Sequence, residues 1–288
     1  MLYLLIASLI WAFSFGLIKT ELNGLDPVFV ALVRLGLSLA VFLPLLRTRR
    51  MKPGDVALLL ALGAVQYGIM YMTYISAYRY LPAHQVALFT LFTPLFVVLV
   101  HAALVRRLQP AFLLAAALAV AGGAVIAWSG RNVAGAVRGI LLLQVSNLSF
   151  AIGQVAYRRW RRRAVDVRDR EVFALLYLGG VLVTGVSALV CVDWEAVRPS
   201  HRQLGVLLYL GVLPSGLCFF LWNVGAARVN AGILAVFNNV KIPLAVAVSL
   251  LVFGESARLA PLAAGGLMIA AALVMCRTCG AEEAPPSG

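Results

Sequence analysis

The sequence predicts an all-α integral membrane protein with ten transmembrane helices, arranged as two inverted-topology five-helix repeats around a central cavity. The membrane location follows from composition: 62% of the 288 residues are hydrophobic and only 12% are charged, with a mean hydropathy of +0.96. A water-soluble globular domain has a much smaller apolar share, so that class is excluded. The repeats follow from an internal similarity between the two halves of the chain.

Ten apolar runs are each long enough to cross a bilayer as a helix, since a hydrocarbon core of about 30 Å takes roughly 20 residues. In chain order these predicted spans 1 to 10 cover residues 2–18, 28–46, 56–78, 83–104, 111–128, 139–157, 172–190, 204–224, 231–253 and 260–276. The runs lack the apolar/polar alternation of barrel strands, so helices are expected.

Basic residues predict the orientation. The net charge of +13 comes mostly from loops after even-numbered spans, above all from Arg158, Arg159, Arg161, Arg162 and Arg163. By the positive-inside rule both termini are cytoplasmic. Because the basic residues lie between apolar runs, they indicate lipid headgroups and no nucleic-acid partner. Together with the Ala-, Leu- and Arg-rich composition, this predicts a multi-pass protein of the bacterial cytoplasmic (inner) membrane.

The two halves resemble each other at offsets of 139 and 149 positions, and the longer basic loop after span 6 accounts for the difference. Shifting the sequence by 149 positions brings Arg79 onto Arg228 and Pro94 onto Pro243. Since each repeat would hold five spans, an odd number, the second copy must be inverted relative to the first. We therefore expect a first repeat over 1–130, a second over 131–280 and a short polar tail over 281–288. Inverted repeats are typical of secondary transporters that alternate access around a midplane site.

Polar side chains at helical spacing mark the helix faces that should surround that site. The stripes are Tyr67, Tyr71, Tyr74 and Tyr78 on span 3; Thr90, Thr93 and His101 on span 4; Gln144, Asn147 and Gln154 on span 6; and Asn238 with Lys241 on span 9; Trp11, Ser14, Trp222 and Asn223 are expected nearby. Because hydroxyls and amides in hydrocarbon need partners, these faces should meet at a central cavity. For span 3 alone, an aromatic packing face or interfacial belt remains an alternative.

Two basic residues lie inside predicted spans. Lys241 is near the middle of span 9, where a Lys costs about 2.5–3.5 kcal/mol, so we expect it to attract an anionic group of the substrate. A snorkelling or carbonyl-bonded structural Lys is the alternative. Arg34 lies closer to a span end, within reach of Glu21 and Asp26, and a structural role is expected for it.

Three prolines and two glycine pairs have structural roles. Pro94, Pro243 and Pro214 interrupt helices and are predicted hinges for alternating access, with static kinks as the alternative. Gly122-Gly123 and Gly265-Gly266 lie in the almost purely apolar spans 5 and 10. Such pairs favour close helix packing or subunit contact, so a monomer or a homodimer is expected.

Several function classes lack the residues they need. All eleven acids lie in loops, tails or span ends, which disfavours tight proton or sodium coupling. The sequence contains no phosphate-binding G-x-x-x-x-G-K-[ST] loop and no catalytic constellation, so neither an ATP-driven pump nor an enzyme is expected. Four scattered cysteines predict neither a disulfide framework nor a metal site, and no cofactor is expected.

Short motifs recur in a fixed order along the chain. They are Trp11-Ala12, Asp26-Pro27 with Arg34, the run 78–83 leading into Pro94, and Pro243 followed by Gly254-Glu255. In this order they resemble the two EamA repeats of the drug/metabolite transporter superfamily, and the overall pattern is similar to YddG-type aromatic amino acid exporters. The resemblance implies ten spans, a cavity formed by spans 1, 3, 4, 6, 8 and 9, and export of amino acids and related metabolites.

We therefore expect a secondary carrier that exports amino acids, aromatic and other neutral ones over a broad range. Lys241 would attract the carboxylate, and amide groups would hydrogen-bond the zwitterion, while aromatic rings would hold the side chain or the ammonium. The predicted binding set is Lys241, Asn147, Gln144, Asn238, Tyr71, Tyr74, Tyr78, Trp222, Asn223, Thr93 and Trp11. Alternatives are an exporter of other small metabolites, nucleotides or drugs, and a non-transporting membrane scaffold.

Overall fold

All regular structure in the described part of the chain is helical. A computed structural model describes residues 2–49, 51–105, 133–164, 166–228 and 242–281, together with isolated positions between 114 and 125. The α-helices are α1 Leu2–Glu21, α2 Pro27–Phe42, α3 Pro53–Gly63, α4 Met70–Ala77, α5 Ala83–Phe89, α6 Thr93–Val105, α7 Val133–Arg161, α8 Asp169–Cys191, α9 His201–Leu210, α10 Cys218–Arg228, α11 Ile242–Leu251 and α12 Leu259–Ala281.

Three pairs of these helices continue one another through irregular helical turns. A π-helical segment, Ala64–Ile69, joins α3 to α4, and a second, Gly211–Leu217, joins α9 to α10. A 3₁₀ turn, Thr90–Phe92, joins α5 to α6. Two of the three prolines predicted as hinges lie at or near such breaks: Pro214 inside the second π segment, and Pro94 two residues after the 3₁₀ turn.

Six helical segments are long and apolar enough to cross a membrane. They are Leu2–Glu21, Pro27–Leu45, Pro53–Ala77, Ala134–Arg161, Asp169–Cys191 and His201–Ala226. Three shorter apolar helices, Ala83–Val97, Ile242–Leu251 and Leu259–Ala272, coincide with predicted spans 4, 9 and 10. The chain is therefore a multi-pass helical membrane protein; most of predicted span 5 lies outside the described residues.

Local sequence explains where the helices begin. Asp26 caps α2, its carboxylate accepting hydrogen bonds from the backbone N–H groups of Val28 at 2.8 Å and Phe29 at 3.2 Å, with Pro27 in the first turn. Ser200 and Gln203 form a reciprocal capping box at α9. Both caps satisfy backbone N–H groups that the start of a helix leaves unpaired, so they fix the residues at which α2 and α9 begin.

Glycines let helix backbones touch at two interfaces. A Cβ atom on Gly179 of α8 or on Gly63 of α3 would overlap the backbone of the facing helix. A Cβ atom on Gly122 would lie 2.6 Å from the carbonyl oxygen of Gly265. The second contact places a glycine of each predicted pair at a helix interface within the chain, which is the packing role that small residues have in membranes.

Contacts between connections occur in two separate groups, which we call the Asp26 end and the Asp55 end. At the Asp26 end, connections after predicted odd-numbered spans meet: Asp26 with Arg79 at 3.1 Å and Glu21 with Arg202 at 2.6 Å. At the Asp55 end, connections after even-numbered spans meet: the Trp160 indole N–H donates to Asp55 at 2.9 Å. This grouping agrees with helices that alternate in direction.

Candidate functional site

A central cavity lies between α1, α2, α4, α7 and α10 and the turn between α5 and α6. Its described lining is Trp11, Ser14, Phe15, Ile18, Arg34, Met70, Tyr71, Tyr74, Thr90, Thr93, Ser146, Asn147, Phe150 and Phe219. Its volume of about 90 Å³ is well above the roughly 10–15 Å³ that one water molecule needs. Apolar and aromatic side chains form most of this lining, and hydroxyl, amide and guanidinium groups lie among them, a combination that suits a small amphipathic solute.

The tyrosine stripe of predicted span 3 faces inward. Tyr67, Tyr71 and Tyr78 are buried, and Tyr71 and Tyr74 line the cavity. The Tyr74 and Tyr78 hydroxyls share a hydrogen bond of 2.7 Å. Tyr67 lies behind the cavity, where its hydroxyl accepts a 3.0 Å hydrogen bond from Asn223. The stripe therefore faces the protein interior, whereas the neighbouring Tyr80 is exposed.

A polar wall joins α6 to α7. The Thr93 hydroxyl donates to the side-chain oxygen of Asn147 at 3.1 Å, and the Asn147 amide donates to the carbonyl of Phe89 at 3.0 Å. A longer contact of 3.4 Å connects that amide to the Gln144 side-chain oxygen. Asn147 is thus held on three sides at the cavity surface, while Gln144 lies outside the described lining as a support for Asn147.

An aromatic wall forms between α1 and α10. The Trp11 ring lies 4.8 Å from Phe219 and 5.1 Å from Trp222, measured between ring centroids. Phe219 lines the cavity together with Phe150 of α7, and neither was predicted as a site residue. Trp222, a predicted binding residue, is fully buried and lies outside the described lining, like Asn223.

The π segment Gly211–Leu217 holds this wall in place. Its widened turn frees backbone carbonyls, which accept hydrogen bonds from side chains of other helices. Pro214 O accepts from the Trp11 indole at 2.9 Å, and Ser215 O and Gly216 O both accept from the Tyr177 hydroxyl at 2.7 Å. Pro214 is therefore part of a packed junction at the site.

Arg34 lies in the cavity wall, and the two acids expected within its reach, Glu21 and Asp26, are not its partners. Its side chain is 3% exposed. Its Nε donates to the Ser215 hydroxyl at 3.0 Å, and Nη2 donates to the Tyr71 hydroxyl at 3.4 Å. The two acids named as its partners are bonded elsewhere, because Asp26 caps α2 and pairs with Arg79 and Glu21 pairs with Arg202.

The cap of α2 explains why Asp26 does not pair with Arg34. Eight residues separate Asp26 from Arg34 along α2, a rise of about 12 Å at 1.5 Å per residue. The acid therefore stays at the helix end while the guanidinium reaches the interior. No pattern on α2 alone signals this direction, since the side chains that receive Arg34 belong to α4 and the π segment.

A second pocket of about 210 Å³ opens at the Asp26 end and was not predicted. It is lined by Ile18, Lys19, Leu22, Asn23, Gly24, Leu25, Pro27, Ile75, Tyr78 and Arg79. Ile18 belongs to both linings, and Lys19 donates to the backbone carbonyl of Tyr78 at 2.6 Å. Ile18 and the hydrogen-bonded Tyr74–Tyr78 pair therefore lie between the central cavity and this second pocket.

Glu255 connects two distant parts of the chain near the same end. Its carboxylate accepts hydrogen bonds from the backbone N–H groups of Ala83 at 2.7 Å and His84 at 2.9 Å, and contacts His84 Nδ1 at 2.7 Å. Partial burial alone would raise the pKa of Glu255, but these hydrogen bonds from His84 and Ala83 outweigh burial and lower it. The ionised carboxylate therefore holds the start of α5 against the loop after α11.

Some predicted residues cannot be placed in the cavity. Lys241 and Asn238 lie outside the described residues, and the side chain of His101 is not described either. Pro243 is the second residue of α11. Of the predicted binding set, the structure brings Trp11, Tyr71, Tyr74, Thr93 and Asn147 together around one cavity.

The sequence matches one transporter family and several known proteins along most of its length. The chain matches the EamA-like transporter family over residues 1–128 and again over 137–277. It is 37% identical over 275 residues to a biotin transporter of Salmonella typhimurium, covering 95% of this chain and 91% of that protein. A probable biotin transporter of Pseudomonas aeruginosa is 39% identical over 276 residues, covering 95% and 96% of the two chains.

Similarity to an amino acid exporter is weaker. The aromatic amino acid exporter YddG of Ancylobacter novellus is 28% identical over 209 residues, covering 70% of this chain and 68% of that protein. A solved crystal structure superposes with a TM-score of 0.67 over 96% of both chains at 22% identity. That structural likeness bears on the fold alone.

Proposed function

The chain belongs to the EamA-like transporter family, and from this premise we propose that it is a secondary carrier for biotin in the bacterial cytoplasmic membrane. Family membership makes it a membrane transporter of a small molecule and not an enzyme. Similarity to biotin transporters along almost the whole chain supports biotin as the solute, and similarity to the YddG exporter is lower in identity and extent.

The chemistry of the cavity wall carries the proposal. Aromatic rings, uncharged hydrogen-bonding groups and one guanidinium surround the space, and none of its described lining residues is an acid. Biotin has an apolar ring and tail, a ureido group that both donates and accepts hydrogen bonds, and one carboxylate. Phe150 and Phe219 suit the apolar part, Asn147 and Thr93 suit the ureido group, and Lys241 remains proposed as a basic residue that attracts the carboxylate.

Export of amino acids is the second candidate. The ring faces of Tyr71 and Tyr74 in the cavity wall and the similarity to YddG favour it. An amino acid also carries an ammonium group, which would have ring faces and carbonyls as partners instead of a carboxylate. We therefore expect weaker binding for a zwitterion than for a monoanion of similar size.

The proposed architecture is ten spans in two inverted repeats, over 1–130 and 131–280 with a tail over 281–288. The two matched segments and the two groups of contacts between connections support it. Both termini would be cytoplasmic, which makes the Asp26 end the outer one. Alternating access would bend the chain at Pro94, Pro214 and Pro243, and the carrier would act as a monomer or a homodimer.

Purified protein in liposomes tests the solute. With labelled biotin on one side, we expect flux that unlabelled biotin competes for and that protein-free liposomes lack. Asn147→Ala should slow this flux, because its amide lies in the polar wall, whereas Glu195→Gln in an exposed connection serves as the matched control. Amino acid flux without biotin flux would replace the first candidate by the second.

Aqueous accessibility separates a carrier from a non-transporting scaffold. The chain contains four cysteines, so single cysteines at Asn147 and Tyr74 are introduced after these four are replaced by alanine or serine. A carrier predicts that water-soluble thiol reagents label both positions and that biotin slows the labelling. Unlabelled positions together with no flux of any solute would favour a scaffold.

A further inference from the structure

Arg34 has hydrogen-bonding capacity that the described residues leave unused. The guanidinium carbon lies 4.8 Å from the centroid of the Tyr71 ring, and Nε and Nη2 bond to Ser215 and Tyr71 as described above. Nη1 is buried and has no hydrogen-bond partner among the described residues. A guanidinium has five N–H donors in a planar fork, so Nη1 is the part of this cavity-lining side chain that a further acceptor can bind.

The charge of Arg34 is also unbalanced among the described residues. A cation buried in a protein interior is strongly unfavourable unless an anion or a dense set of acceptors accompanies it. Of the eleven acids in the sequence, those within the described ranges lie in connections or at helix ends, and the segments that the structure leaves undescribed contain only Glu282 and Glu283 of the tail. The described cavity lining supplies hydroxyls, an amide and aromatic rings around the guanidinium.

We infer that Arg34 is the receptor for the substrate carboxylate, an inference that rests on the proposed carrier function. Ser215 holds Nε and Tyr71 holds Nη2, so the fork is oriented before a solute arrives and its Nη1 edge remains for a carboxylate oxygen. A carboxylate accepts from a guanidinium in a planar, often bidentate arrangement. The site thus selects a small solute with one carboxylate and a largely apolar body.

Arg34 and Lys241 are two basic residues that could each bind the substrate carboxylate. Lys241 belongs to the proposed binding set by its position in predicted span 9. Arg34 is placed by contacts: it lines the cavity and is held by residues of two other helical elements. If Arg34 binds the carboxylate directly, Lys241 contributes at most to attraction over a longer distance.

Binding of matched carboxylate and carboxamide pairs to purified protein tests the inference. The pairs are biotin with biotinamide, 3-phenylpropionate with 3-phenylpropionamide, and phenylalanine with phenylalaninamide. A charge-assisted hydrogen bond predicts that the wild type prefers the carboxylate of a bound pair by about 10- to 100-fold. Arg34→Met should remove that preference, Arg34→Lys should keep part of it, and Arg202→Met, an exposed arginine at the Asp26 end, should leave it unchanged.

Chemical modification provides a measurement on the wild type, in case Arg34→Met does not fold. Phenylglyoxal reacts with arginine, and mass spectrometry of the peptide containing Arg34 reports the extent of reaction. We expect biotin to protect Arg34 and biotinamide to protect it far less.

The outcomes are distinguishable. Arg34-dependent preference for a carboxylate in any pair except biotin supports the inference and overturns biotin as the solute. A carboxylate preference that survives Arg34→Met and disappears in Lys241→Met overturns the inference, as does equal binding of both members of every bound pair. If the folded wild type binds no member of any pair, both the inference and the proposed function are wrong.

Discussion

Replacing Glu255 by glutamine should destabilise the protein measurably. The carboxylate accepts two backbone hydrogen bonds and contacts His84 Nδ1, whereas a glutamine side chain has one accepting oxygen and one NH₂ group. At least one hydrogen bond to a charged acceptor is lost, worth about 1.5–3 kcal/mol. The NH₂ group would also face a backbone donor, so we expect the free energy of unfolding to fall by about 2–3 kcal/mol.

The same carboxylate predicts a pH dependence. The pKa of Glu255 is lowered in the folded protein from its ordinary value near 4.5, so its stabilising contribution is complete above that value. The contribution is lost as pH falls through the lowered pKa, because the unfolded chain then binds the proton more readily. Between neutral pH and acid pH the wild type should therefore lose more stability than the Glu255→Gln variant.

Unfolding in mixed micelles, followed by circular dichroism at several pH values, measures both effects. Glu195→Gln removes the same charge from an exposed position in another connection and should change the free energy of unfolding by less than about 0.5 kcal/mol. A Glu255→Gln variant that matches this control would refute the reasoning. So would a stability difference from the wild type that does not narrow in acid.

Substitutions at the cavity wall, at a helix interface and at two prolines test three further features of the structure. Asn147→Ala removes a neutral hydrogen-bonding group from the cavity wall and should weaken biotin binding up to about tenfold, measured by titration calorimetry; unchanged affinity would exclude it from the site. Gly179→Ala would push a methyl group into the backbone of the facing helix and should lower the free energy of unfolding by about 1–3 kcal/mol. The control Gly36→Ala, where a Cβ atom meets no atom within 4 Å, should be nearly neutral. Equal effects of the two substitutions would contradict close helix packing at Gly179. Pro94→Ala and Pro243→Ala should slow transport in liposomes while equilibrium binding is retained, and unchanged rates would refute the hinge role.

Part of the site could be predicted because helical periodicity is a local property. Tyr71 and Tyr74 on α4, and Thr93 and Asn147 on α6 and α7, were found from spacing and polarity in single segments. Apolar helices in a membrane turn such polar faces inward, since hydrocarbon supplies no hydrogen-bond partners. The structure accordingly places these four side chains on one cavity.

Residues whose position depends on another helix could not be predicted in this way. Trp222 was predicted as a binding residue, but it is fully buried and packs against Trp11 of α1. Phe219, three residues earlier on the same helix, lines the cavity. Which of these neighbouring rings reaches the cavity depends on the α1 side chains that cover α10, and the sequence of α10 alone does not show this.

Apolar length, charge placement and residue spacing act within each segment, so they are enough to identify a helical membrane protein with polar faces turned inward. The motifs by which the family is identified are also local. By contrast, the packing of several helices decides that Arg34 reaches the cavity and that no acid lies beside it among the described residues. The reason is physical: the direction and the balance of a buried charge depend on side chains from other helices, and no single helix encodes them.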